Sequence, residues 1–191
     1  TWAANTWYHV AMVRTSGVVA YYVNGTQYTV TGTNPNGNIT SNTGDLRLGD
    51  RNGANNLNGY MDEARISKIA RYSGSSFTPS TTAFKDDKDT ILLLHMDGGG
   101  GIDATTNLPT LPGQGTYFYD DSTNAIFYGA DGIPTNKSII KFDGSGDYLS
   151  VPNSSDFEIA ASNSNSLTLE CWVKLDLHDG QETFLSQDLN G

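Results

Sequence analysis

Leu167-Thr168-Leu169-Glu170-Cys171-Trp172-Val173-Lys174-Leu175-Asp176-Leu177 alternates without a break. Leu167, Leu169, Cys171, Val173, Leu175 and Leu177 fall on one face, and Thr168, Glu170, Trp172, Lys174 and Asp176 on the other. This period of two is the signature of a strand with one buried face. Working outward, Trp7–Arg14 (WYHVAMVR) and Val18–Val23 (VVAYYV) are aromatic and β-branched runs with no breaker. Asn24-Gly25 follows the second run, and that pair favours the two positive φ angles of a tight hairpin turn. Gln27–Val30 reads as the return strand. Leu46–Leu48, Thr90–Met96, Tyr117–Tyr119, Ile126–Tyr128, Ile139–Phe142, Tyr148–Val151 and Phe184–Ser186 add short strands between Gly-rich turns. Short strands at this spacing predict an all-β antiparallel sandwich. Tyr60–Ser67 is expected as a strand ending in a turn or short helical piece. A Ser/Thr/Pro loop, Ser73–Lys85, and the charged stretch Asp86–Asp89 follow.

Composition narrows the possible functions. Only 17% of the 191 residues are charged, and the formal net charge is −10. Without a Lys/Arg cluster to track phosphates, an acidic chain of this kind excludes a nucleic-acid partner. No apolar run approaches the ~20 residues of a membrane helix, so membrane insertion is not expected. The single cysteine, Cys171, has no internal disulfide partner, and no Cys/His set has zinc spacing. The chain opens Thr1-Trp2 without a signal-peptide pattern, which reads as an excised or processed piece.

Asp143–Leu149 (DGSGDYL) followed by Leu167–Lys174 (LTLECWVK) resembles the first half of a laminin-G-like domain, the concanavalin A-like lectin/glucanase jelly roll. Trp7–Arg14, Tyr22–Gly25 (YVNG) and Gly59–Ser67 (GYMDEARIS) resemble its second half. Ile69–Tyr72, Phe77-Thr78-Pro79 and Thr90–Gly98 (TILLLHMDG) resemble the junction between tandem copies in phage virion proteins. Second-half motifs therefore come first. On this resemblance, residues 1–84 form the C-terminal half of one jelly roll and 85–89 a linker. Residues 90–191 form the N-terminal part of a following jelly roll, or of the same one circularly permuted.

Glucanases share this fold, and their chemistry needs a pair of carboxylates. A retaining pair sits about 5–5.5 Å apart on one face. Asp62 and Glu63 are adjacent, which on a regular strand sends them to opposite faces, so no hydrolytic pair is expected. His9, His95 and His178 lie in or beside strands with no G-x-S-x-G elbow, and Cys171 lies on an apolar face as a buried thiol. The resemblance implies calcium at a loop rim, where Asp97, Asp103, Asp143 and Asp147 in Gly-rich loops can offer oxygens and Asp62 can add one. The alternative is turn-forming Asp. For sugars, an aromatic platform with hydrogen-bonding neighbours is needed. Trp172 on the polar face of its strand is the lead candidate, with Tyr22 and His9 on neighbouring strands; each is as compatible with core packing.

The expectation is a non-enzymatic module of a virion or extracellular surface protein that binds cell-surface glycans in adhesion. The rivals are a structural spacer contacting other surface proteins, tandem copies or a homo-oligomer, and an accessory module of a glycoside hydrolase.

Overall fold

The computed structural model describes residues 2–29, 44–51, 53–96, 117–119, 128–129, 138–153, 157, 165–176 and 180–187. These residues form twelve strands: β1 (Trp7–Thr15), β2 (Val18–Val23), β3 (Thr26–Tyr28), β4 (Leu46–Leu48), β5 (Asn58–Ser67), β6 (Thr90–Leu94), β7 (Tyr117–Tyr119), β8 (Tyr128–Gly129), β9 (Ser138–Asp143), β10 (Tyr148–Val151), β11 (Leu167–Leu175) and β12 (Leu185–Gln187). An eight-stranded sheet runs β3-β2-β1-β11-β5-β9-β8, with β6 paired to β5 beside β9. A four-stranded sheet runs β12-β4-β10-β7. Every pairing is antiparallel, so the expected all-β sandwich is what the chain forms. Strands from either side of residues 85–89 alternate: β11 lies between β1 and β5, and β10 beside β4. Residues 1–84 and 90–191 thus share both sheets.

The alternation along β11 sets the layers. Leu167, Cys171, Val173 and Leu175 point between the sheets with Met61, Ala64, Ile66, Ile140 and Phe142, against Leu46, Leu48, Leu149 and Val151 of the smaller sheet. Burial pushes the Cys171 thiol well above its ordinary pKa, which leaves it protonated and unreactive.

The opposite face of β11 is buried as well. Thr168 is 0% and Glu170 4% exposed, because residues 68–85 cross the outer face of the large sheet as an irregular strap. Of the turn or short helical piece expected after β5, the chain forms a pair of bends at Lys68 and Ile69 and no helix. The strap is tied down along its length. Arg71 N donates to Thr168 Oγ1 (2.9 Å), and Thr168 Oγ1 donates to the Ile69 carbonyl (2.7 Å). The strap then docks on the β2–β3 turn, where Asn24 and Gly25 take the expected positive φ values of 49° and 75°. Phe77 N donates to Gly25 O at 2.8 Å. A Cβ on Gly25 would meet Phe77 O at 1.9 Å, so this turn needs glycine for both its φ and its contact.

Residues 85–89 are anchored rather than loose. Arg71 forks onto both oxygens of Asp87 (2.8 and 2.9 Å), and Lys68 N donates to Asp89 O (2.9 Å). That fork holds the Asp87 carboxyl far below its usual pKa. Lys85 and Lys88 remain exposed. Trypsin should therefore nick the chain at these lysines without separating the pieces. We expect the nicked protein to elute as one species under native conditions and to part only in denaturant. Separation without denaturant would contradict the shared sheets.

Candidate functional site

The outer face of the large sheet carries two adjoining arrangements of polar and aromatic groups, one closed and one open. The closed one is centred on Glu170. Its Oε1 accepts from Arg65 Nε (2.8 Å) and Nη2 (2.6 Å), and its Oε2 accepts from Tyr72 Oη (2.6 Å) and lies 3.1 Å from His9 Nε2. The side chain is fully buried, and Arg65 is 9% exposed. Burial alone would raise the Glu170 pKa. The hydrogen bonds from His9 and Tyr72 and the charge of Arg65 outweigh it and hold the carboxyl below the ordinary range. Tyr72 moves the other way, pushed up by burial and by the Glu170 charge, so it stays a donor. Rings close over the group: His9 is edge-on to Trp172, Phe77, Phe84 and Tyr72 at 5.4–6.0 Å, and Arg65 stacks on Phe84 at 4.3 Å.

This arrangement corrects two expected platform residues. His9 is 0% exposed and Tyr22 3%, so neither can meet a sugar from solvent. Tyr22 donates its hydroxyl to the Gly74 carbonyl (2.9 Å) and packs edge-on to Phe77. Both lie on the outer face of the sheet, as an exposed platform requires, but the strap covers that part of the face.

The open arrangement begins where the strap leaves the sheet. Trp172 stands opposite His9 on β1 and opposite Asp62 on β5. Trp7 is its diagonal neighbour, paired with Lys174. Together with Asp62, Glu63 and strap residues Ser80–Ala83, the two indoles line a cleft of about 290 Å³, near the lower limit for a small-molecule site. Along the same face Lys174 lies over the rings of Tyr60 (4.1 Å) and Trp7 (5.8 Å).

A bulge explains why both acids reach this cleft. Glu170 pairs with Arg65 and Trp172 with Asp62, leaving Glu63 and Ala64 opposite Cys171 alone. Glu63 takes φ 52°, an unusual value for a residue with a side chain. Met61 and Ala64 both face the core, so the residues between them turn outward, against the expectation from regular alternation. Glu63 Oε2 accepts from Phe84 N (2.6 Å), and Oε1 lies 3.0 Å from His95 Nδ1. This carboxylate clamps the end of the strap that walls the cleft.

Asp143–Asp147, expected to offer oxygens to calcium, forms a turn with internal hydrogen bonds. Asp143 Oδ1 accepts from Ser145 N (2.7 Å), and Asp147 Oδ2 accepts from Asp143 N (2.9 Å). Among the described residues no three His, Cys, Asp or Glu side chains gather as an ion site. Asp97, Asp103 and His178 lie outside the described residues.

Glu170→Ala leaves Arg65 buried without its counter-charge and should cost about 3–5 kcal/mol in denaturant unfolding. Because the folded-state pKa of Glu170 is depressed, its contribution is present above the ordinary glutamate value of about 4.3. That contribution is lost as pH falls through the lower folded-state value. Glu170→Gln should flatten this acid limb of the stability curve; an unchanged limb would contradict the assignment.

A family model described as concanavalin A-like lectin/glucanases superfamily, of laminin-G type, matches residues 1–74. No curated protein and no solved structure matches the chain. Residues 1–74, which supply β1 to β5 and the start of the strap, thus carry a concanavalin A-like lectin/glucanase domain sequence within an all-β chain of two antiparallel sheets.

Proposed function

We propose that this chain is a non-enzymatic glycan-binding module of an extracellular or virion surface protein, acting in adhesion through the Trp7–Trp172 cleft. The observation that carries the reading is the pair of indoles beside Asp62 and the strap hydroxyls in one open cleft. A flat aromatic face packs on the apolar side of a sugar ring, while carboxylate and hydroxyl groups bond its hydroxyls. The match of residues 1–74 to a lectin/glucanase superfamily supports the same class of ligand. The non-catalytic part rests on Glu63, whose two oxygens already accept from the strap backbone and face His95. A carboxylate held in this way serves to position the strap. Sugar release from any polysaccharide would overturn that part.

The test is binding of the native chain and of Trp172→Ala and Trp172→Phe to a glycan array. Loss of the stacking surface should weaken binding about tenfold or more in the Ala variant. The Phe variant should retain a substantial part. Equal binding by the Ala variant would remove the cleft from the account. No glycan bound by the folded native protein would favour a spacer role.

A further inference from the structure

The two sheets differ in width, and the difference leaves a step at one side of the sandwich. The smaller sheet ends at β12. Its margin lies over β1, because Trp2 meets Tyr8 of β1 at 4.6 Å and Phe184, the residue before β12, at 6.3 Å. The large sheet continues past that margin through β2 to β3. Register puts Tyr8, Val10 and Met12 of β1, Tyr21 and Val23 of β2 and Tyr28 of β3 on the core-facing side of this overhang. Burial falls away strand by strand. Cys171 and Val173 of β11 are buried, the side chains on β1 and β2 are half-buried, and Tyr28 on β3 is 58% exposed. The face is closed at its far end, where Arg14 and Val19 are buried and Arg14 donates to the Asn165 carbonyl (2.8 Å). Among the described residues, no strand pairs beyond β12 to cover the rest.

We propose that this overhang seats a second copy of the chain, in a two-fold dimer where each overhang covers the other. The shape points to a copy. A step one sheet thick is self-complementary: a second copy, turned about a two-fold axis, lays its own β1–β3 face to face on the first. It then fills the layer in which the smaller sheet stops. Such an interface uses the same patch on both partners and closes on itself. A copy that instead paired β12 with β12 would drive the two overhangs into one space. The charge pattern points the same way. A chain of net charge −10 repels its own copies at long range. The strip on which they meet, Val10, Met12, Tyr21, Val23 and Tyr28, is made of uncharged side chains. Apolar strip on apolar strip continues the inter-sheet core across the joint, at the usual sheet spacing of about 10 Å. The patch is small, so pairing depends on concentration. Trp7 and Trp172 lie on the opposite face of the sheet, so pairing leaves their cleft open in both copies.

The experiment is sedimentation velocity on the full chain over a range of concentrations. A reversible monomer–dimer equilibrium is expected, and added salt should shift it toward dimer by screening the like net charges. Tyr28→Lys places an ammonium in the joint and should weaken pairing at least about tenfold. Thr26→Lys, on the same face of β3, should do the same and serves if the first variant does not fold. Gln27→Lys adds the same charge to the same strand but on the opposite face, and should leave the dimer intact. A monomer at every concentration up to about 1 mM overturns the proposal. A dimer that Tyr28→Lys and Thr26→Lys leave unchanged overturns it too, as does one that Gln27→Lys weakens equally. Assemblies that keep growing beyond the dimer contradict a joint that closes.

Discussion

The buried Glu170 carboxylate is the interaction on which the rest of the outer face depends. A charge taken out of water is costly unless it is paired and hydrogen-bonded on all sides. Here the donors come from three separate parts of the chain: His9 of β1, Arg65 of β5 and Tyr72 of the strap. No subset closes the shell. The sheet must therefore be assembled, with β11 between β1 and β5, before the site for the strap exists. The strap in turn must be in place before the carboxylate is fully satisfied. Sheet formation and strap docking are thereby coupled through one group, and Phe77 and Phe84 seal it from water.

A second constraint, the bulge at Glu63, passes this order on to the cleft. A regular strand would send one of Asp62 and Glu63 into the core. The extra residue turns both outward, and the cost of a positive φ at Glu63 is offset by its bond to Phe84 N. That bond fixes the far end of the strap, so Ser80–Ala83 stand as a wall beside Trp7 and Trp172. The site thus has one wall from the sheet and one from the strap, held by two carboxylates that act in different ways. Glu170 works through charge pairing in the interior, Glu63 through a backbone hydrogen bond at the margin.

The fold was legible because a strand's apolar face is written locally. Leu167, Cys171, Val173 and Leu175 all lie between the sheets, and Asn24-Gly25 makes the turn its residue types favour. The polar face of the same strand misled, since local alternation says nothing about what later crosses it. Thr168 and Glu170 are as buried as their apolar neighbours, and His9 and Tyr22 go under the strap with them. Trp172, on the same outer face, stays partly exposed because it lies beyond the strap's edge. The bulge had left a trace in the sequence: Met61 and Ile66, both core residues, are separated by an odd number of positions, which a regular strand does not permit. Asp143 and Asp147 serve a tight turn through their bonds to Ser145 N and Asp143 N, and the sequence alone does not separate that role from an ion loop, since both use Asp and Gly.

The central claim is that the strap is part of the folded sheet structure and is held there by Glu170. Native-state hydrogen exchange at the amides of Arg71, Phe77 and Phe84 tests it most directly, since each donates to a partner on the sheet, the β2–β3 turn or the bulge. The account predicts that these amides are protected together with those of β1, β5 and β11, and that Glu170→Gln releases them ahead of the strands. Exchange at the rate of unstructured chain in the native protein would contradict it, and so would strap protection unchanged by the substitution.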